Sequence, residues 1–270
     1  MDHQWTRRGF LLASAAALAG CGTDDSPRAA TTAVTTPPVE ATSVSNLVWR
    51  SSIGDIKMIV MRPRDVTGPL PVCLALHGEG ADSSQFVDIG LPPLLTATVR
   101  AGTRPFAVVA VDGGGTSWLG PPQKMLAEEL PDWLVRTELA PTPFGALGIS
   151  AGAAGAFEYA KVPGLATLAA LSPAVFTSWK DAEKFGGFTD QRQWEKAEPL
   201  RNLSAVAGLP VSIWCGTDDP LLPAARTLAE RLRADPATFG NGDHGPLYWR
   251  GILPDVLRHI GGTLGKVSPG

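Results

Sequence analysis

Short, nearly unbroken apolar runs at 71–76, 106–111, 144–149, 165–171 and 210–215 constrain this chain more than any other feature. A strand with one wet face alternates apolar and polar residues, so an unbroken run of this length means both faces are covered. Two further strands are expected earlier, at 47–50 and 56–61, with Gly54-Asp55 as the turn between them. Helical stretches separate the later runs, at about 84–101, 123–137, 151–161, 220–234 and 246–261. Met125, Leu126, Leu130, Trp133 and Leu134 recur near helical spacing, with Glu128 and Glu129 outside that stripe. Strands alternating with helices imply crossover units, hence an α/β fold with a mostly parallel central sheet and helices on both faces. On such sheets ligands bind at the carboxyl ends of the strands, which is where chemistry is to be sought.

Composition narrows the function classes. With 44% hydrophobic and 18% charged residues over 270 positions, the chain buries a sizeable core and is not disordered as a whole. A net charge of -3 offers no general attraction to phosphate backbones, so no nucleic-acid partner is expected. After Gly113-Gly114-Gly115 no Lys or Ser/Thr follows at the spacing a phosphate loop needs, and no His/Cys/carboxylate spacing suits a metal. No cofactor is expected.

The N-terminus reads as an address. Thr6-Arg7-Arg8-Gly9-Phe10-Leu11 resembles a twin-arginine export signal, and the apolar stretch after it is too short to span a bilayer. Leu18-Ala19-Gly20-Cys21 resembles a lipoprotein processing site, with Cys21 becoming the lipidated N-terminus. Three segments are therefore expected: a signal at 1–20, a Thr/Ser/Ala/Pro-rich tether at 21–45 and a catalytic domain at 46–270. The mature protein would be exported and held by lipid to the outer face of the cytoplasmic membrane.

Chemistry gathers at the strand ends. Gly148-Ile149-Ser150-Ala151-Gly152 follows an apolar run and opens a small-residue helix, the setting of a nucleophile elbow. A serine at its ordinary pKa is a poor nucleophile and needs a base. Beyond the leader the chain has His77, His244 and His259. His259 falls on the packed face of the last helix, near Ile252 and Val256. His77, in Leu76-His77-Gly78-Glu79-Gly80, suits a turn whose backbone N–H groups face a developing oxyanion. His244, in Gly242-Asp243-His244-Gly245 just before the final helix, is the best base. Its orienting acid is sought in Cys215-Gly216-Thr217-Asp218-Asp219-Pro220, where Asp219 is preferred and Asp218 stays open. The chain order Ser150, Asp219, His244 is that of the hydrolases carrying this elbow.

From about residue 46 to 262 the chain resembles an α/β-hydrolase-fold esterase, within the esterase family that holds esterase D and the secreted mycolyltransferase antigens. The motifs above carry the resemblance, together with Val111-Asp112-Gly113-Gly114-Gly115, Ser117-Trp118, Leu171-Ser172-Pro173-Ala174 and Tyr248-Trp249-Arg250. It implies Ser150 as nucleophile, Asp219 as acid and His244 as base, with the oxyanion held by the N–H groups of Ala151 and Glu79. An Asp where the mycolyltransferases use Glu, and Ala151 in place of their bulkier residue, depart from that branch and leave the hydrolase pattern intact.

The expected activity is that of a serine esterase on a small-molecule or lipid ester, falling as pH drops through the imidazole range of about 6 to 7. Acyl transfer to a sugar or lipid acceptor and a non-catalytic envelope binding protein are the alternative readings; nothing in the sequence bears on oligomeric state. Trp118 and Trp249 are the candidates to line a substrate pocket, from a set that includes Trp179 and Trp194. Cys73 and Cys215 read as buried thiols on strands that are not neighbours. The segment between Ala174 and Leu209, long for a connection, is expected to form a small cap that sets acyl specificity.

Overall fold

A computed structural model of the chain describes residues 43–113 and 118–264. The export signal, Cys21, most of the tether and the 114–117 stretch, with Gly114, Gly115 and Ser117, lie outside the described residues. Among the described residues no helix is long and apolar enough to cross a membrane.

Eight strands form one sheet: β1 Ser43–Ser51, β2 Gly54–Arg62, β3 Val72–Leu76, β4 Ala107–Val111, β5 Gly145–Ile149, β6 Thr167–Leu171, β7 Val211–Gly216 and β8 Ala237–Gly240. Their spatial order is β1-β2-β4-β3-β5-β6-β7-β8. The first two form an antiparallel ribbon that joins β4 antiparallel, and every later pairing is parallel. The expected mostly parallel sheet is present.

Side-chain alternation explains its two cores. Val72, Leu74 and Leu76 of β3 point to one face, Cys73 and Ala75 to the other, and β4 divides likewise. On the first face lie α3 (Pro121–Glu128), α4 (Leu130–Arg136), α5 (Ala151–Tyr159) and α8 (Leu222–Leu232). The second carries α1 (Gln85–Asp88), α2 (Leu91–Arg100) and α9 (Pro246–Thr263). Both strand faces meet helices, so nearly every interior strand residue is apolar. Cys73 and Cys215 are buried free thiols on β3 and β7, which two strands separate. Burial pushes the Cys73 thiol far up and Cys215 to about 12, so both stay protonated.

Several boundaries differ from expectation for local reasons. The hairpin turns at Ser52-Ile53, which frees Gly54 to pair with Ser51, and β1 begins at Ser43, inside the expected tether. The 84–101 stretch is two helices, broken where Gly90 takes φ 83°. The 123–137 stretch also breaks, because Pro131 cannot donate to a preceding turn and starts α4 instead. One strand was not expected at all: β8 is short, lies at the sheet edge and has no apolar run. The 174–209 segment holds α6 (Trp179–Phe185), α7 (Gln191–Ala197) and a 3₁₀ turn at Leu203–Val206. It has a small core of its own, where Ala174, Phe176, Ala182 and Trp194 pack with Trp179, Phe185 and Phe188.

Candidate active site

Register brings five strand ends level. Leu76 pairs with Gly148, Ile149 with Leu171, Leu171 with Trp214 and Gly216 with Gly240, so the loops leaving β3, β5, β6, β7 and β8 emerge along one edge. Ser150 leaves β5 with φ 55° and ψ -117°, a conformation costing about 1–3 kcal/mol in isolation. Surrounding hydrogen bonds hold it there: its N–H donates to the Leu171 carbonyl (2.9 Å), and its carbonyl accepts from Ala153 and Ala174 (3.0 Å each). The flanking glycines admit this turn. A Cβ on Gly148 would collide with the Gly152 carbonyl, and one on Gly152 with the Leu76 carbonyl, because α5 starts directly against β5 and β3.

The Ser150 hydroxyl lies 3.0 Å from His244 Nε2, and His244 Nδ1 lies 2.8 Å from Asp219 Oδ2. An ionised carboxylate only accepts, so Nδ1 carries the imidazole proton and Nε2 is left to accept from the serine. Asp219 Oδ1 accepts from the Leu221 N–H (2.8 Å). Burial pushes the Asp219 carboxyl up, but hydrogen bonds from His244, the Leu221 N–H and Ser172 outweigh it and hold the group below its usual range. Asp218 is exposed and touches no part of this relay; its N–H donates to the Gly242 carbonyl (2.9 Å). That bond and Thr217 N–H to the Gly240 carbonyl (2.8 Å) tie the Asp219 turn to the loop that carries His244.

His77 holds the opposite wall. Its Nδ1–H donates to the Gly78 carbonyl (2.8 Å), its Nε2 accepts from the Gly113 N–H (3.1 Å), and its carbonyl accepts from Trp118 Nε1–H (2.9 Å). Burial lowers its pKa, against the pull of Gly78, Asp112 and Asp82, so it stays a neutral brace between the ends of β3 and β4. Gln85 Oε1 accepts from the Gly78 N–H (2.9 Å) and fixes the turn further. A Cβ on Gly78 would stand 3.5 Å from Ser150 Cβ, so the Gly78-Glu79 backbone passes beside the serine while Glu79 itself is exposed.

The two tryptophans part company. Trp118 forms a wall of an apolar cleft that begins at Ala151 and runs under Phe176, Phe185 and Phe188. Trp249 instead stands edge-on to the His244 ring, with centroids 5.3 Å apart, and donates from Nε1 to Ser172 Oγ (3.1 Å). It also borders a shallow depression with Gly80, Gln85 and Pro246. Trp179 and Trp194 pack against each other in the cap, 6.1 Å apart. His259, as expected, packs within α9, with its ring against Trp214.

Two residues have positions in the site that sequence reading did not assign. Ser172 is fully buried at φ 46° between Trp249 and Asp219; its position at an interior strand end was the available signal. Glu198, 1% exposed, lies in the cap and gave no sequence signal. Among the described residues no group of three or more His, Cys, Asp or Glu is placed to hold a metal.

No protein-family model matches the chain, and no curated protein matches it by sequence. Solved structures do match it in shape. A ferulic acid esterase aligns with a TM-score of 0.68 at 16% identity, covering 82% of this chain and 98% of that one. An S-formylglutathione hydrolase from Staphylococcus aureus aligns at 0.62 and 16%, covering 82% and 100%. A thermostable esterase from Pseudomonas putida aligns at 0.62 and 19%, covering 85% and 84%. At these identities the likeness establishes the fold: the described domain is an α/β-hydrolase fold.

Proposed function

We propose that the protein is a serine esterase in which Ser150, His244 and Asp219 act as nucleophile, base and orienting acid. The observation that carries this reading is the continuous relay from Ser150 Oγ to His244 (3.0 Å) to Asp219 (2.8 Å), on a strained elbow at the carboxyl edge of the sheet. The esterases among the solved structures of like shape support it.

Ser150 Oγ attacks the ester carbonyl carbon as its proton passes to His244 Nε2, and Asp219 stabilises the imidazolium so formed. The Ala151 and Glu79 N–H groups are assigned to the tetrahedral oxyanion; Ala151 opens α5, where N–H groups lack intrahelical acceptors, and Glu79 follows the turn beside the serine. Collapse breaks the bond to the alcohol oxygen, which takes the proton from Nε2. Water, losing a proton to His244, then attacks the acyl-enzyme and frees the acid and the serine. Export and lipidation at Cys21 belong to this proposal on the strength of the N-terminal motifs alone.

A serine-reactive fluorophosphonate labels the wild-type protein and does not label Ser150→Ala, whose ester hydrolysis falls by about 10⁵–10⁶-fold. An unlabelled wild type would overturn the proposal and favour a binding role.

Ser172 is a positioning residue in this scheme. Ser172→Ala removes the acceptor of Trp249 Nε1–H and a hydrogen bond to Asp219. A fall in kcat of about 5–20-fold at unchanged KM is expected in steady-state kinetics.

A further inference from the structure

The cleft beside the serine holds a second piece of chemistry. Its walls are apolar, from Trp118 and Ala151 on the domain side and Phe176, Phe185 and Phe188 on the cap side, and among the described residues Glu198 is the one ionisable residue that lines it. Glu198 is anchored by three N–H donors. Oε2 accepts from the Phe176 N–H (3.0 Å) and Trp194 Nε1–H (2.9 Å), and Oε1 accepts from the Leu200 N–H (3.1 Å). A carboxylate has about four acceptor positions, so Oε1 keeps one more. Burial pushes this carboxyl up to about 7, against the bonds from Leu200, Phe176 and Trp194 and the charge of Arg201. An apolar wall carrying a buried acceptor with spare capacity favours a ligand donor at that point and disfavours its absence.

Orientation follows from proton delivery. The departing alcohol oxygen must receive its proton from His244 Nε2, so the leaving group lies on the histidine side. No residue of the 244–249 segment lines the cleft, whereas Pro246 and Trp249 border the separate depression beside Gly80. The cleft therefore takes the acyl side.

Resting on the esterase reading above, we infer that this cleft binds a compact, largely apolar acyl group ending in a hydrogen-bond donor, and that Glu198 is the residue that selects the donor. A hydroxyl at the far end of a flat acyl chain meets the requirement: its hydrocarbon body packs against the aromatic walls and its O–H donates to Glu198 Oε1.

Three methyl esters test this at pH 8.5, those of 3-phenylpropanoate and its 4-hydroxy and 4-methoxy derivatives, with rates taken per fluorophosphonate-titrated serine. The wild type is expected to favour the 4-hydroxy ester over the unsubstituted one by about tenfold or more in kcat/KM. Glu198→Gln turns an amide donor toward the cleft, so the 4-methoxy ester, which accepts but cannot donate, gains at least about fivefold relative to the 4-hydroxy ester. A role confined to holding the cap together would change all three rates by one factor. Wild-type rates within about twofold of one another, or an order of preference kept in Glu198→Gln, would overturn the inference. If the glutamine variant does not fold, the wild-type comparison decides alone. Labelling of Ser150 without discrimination among the esters defeats this inference only; absence of labelling defeats the esterase reading with it.

Discussion

Replacing Asp219 with asparagine lowers kcat for ester hydrolysis by about 10³–10⁴-fold, while Asp218→Asn leaves it essentially unchanged. The two acids are adjacent in the chain and unlike in space: Asp219 is buried with Oδ2 on His244 Nδ1, and Asp218 faces solvent. An asparagine at 219 can turn its amide N–H₂ toward Nδ1. The imidazole then carries its proton on Nε2, which donates to Ser150 and cannot accept from it. Because the lost interaction strengthens as the imidazolium forms, the fall lies in kcat, and KM stays close to wild type. Equal effects at the two positions in steady-state kinetics would remove Asp219 from its assigned role.

Gly152→Ala is the second large effect, and it reads out in folding. Its Cβ would be driven into the backbone carbonyl of Leu76, with the His77 carbonyl close behind, and neither is a flexible side-chain tip. Separating α5 from β3 costs about 3 kcal/mol or more, a loss of roughly 6–12 °C in thermal midpoint for a domain of this size. The same shift displaces the elbow, so fluorophosphonate labelling of Ser150 falls with stability. Gly251→Ala is the matching control: it lies inside α9 with open space around its Cα, and the gain in helix propensity stabilises by about 0.5–1 kcal/mol. Thermal unfolding of the two variants beside the wild type checks both signs.

How much was legible in the chain depended on the reach of the signal. Interior strands announced themselves because Leu74 and Val109 pack on one face of the sheet and Cys73 and Val108 on the other, which leaves no polar positions in the run. The elbow was legible because close helix-to-strand approach demands glycine at 148 and 152, a requirement local to five residues. By contrast β8 carries no apolar run, since it sits at an edge and owes its existence to pairing with β7. The broken helices follow from Gly90 and Pro131, single residues that interrupt the backbone while the apolar period runs on past them. Glu198 was invisible, and Ser172, though quoted within its strand-end motif, had no role assigned, because a buried polar residue differs from a solvated one only in what the rest of the chain folds around it.

The sequence by itself determined the parallel sheet, the serine elbow, the order of serine, acid and histidine, and the exclusion of nucleic acid as an expected partner. These are consequences of local periodicity, backbone sterics and net charge, which act within short windows or on the chain as a whole. The tertiary structure alone set Asp219 and not Asp218 against His244, stood Trp249 edge-on to the His244 ring, and placed Glu198 in the wall of the cleft that begins at Ala151. Each of these depends on which way a side chain points once distant strands have aligned their ends, and register between strands far apart in sequence is the quantity a linear reading cannot supply.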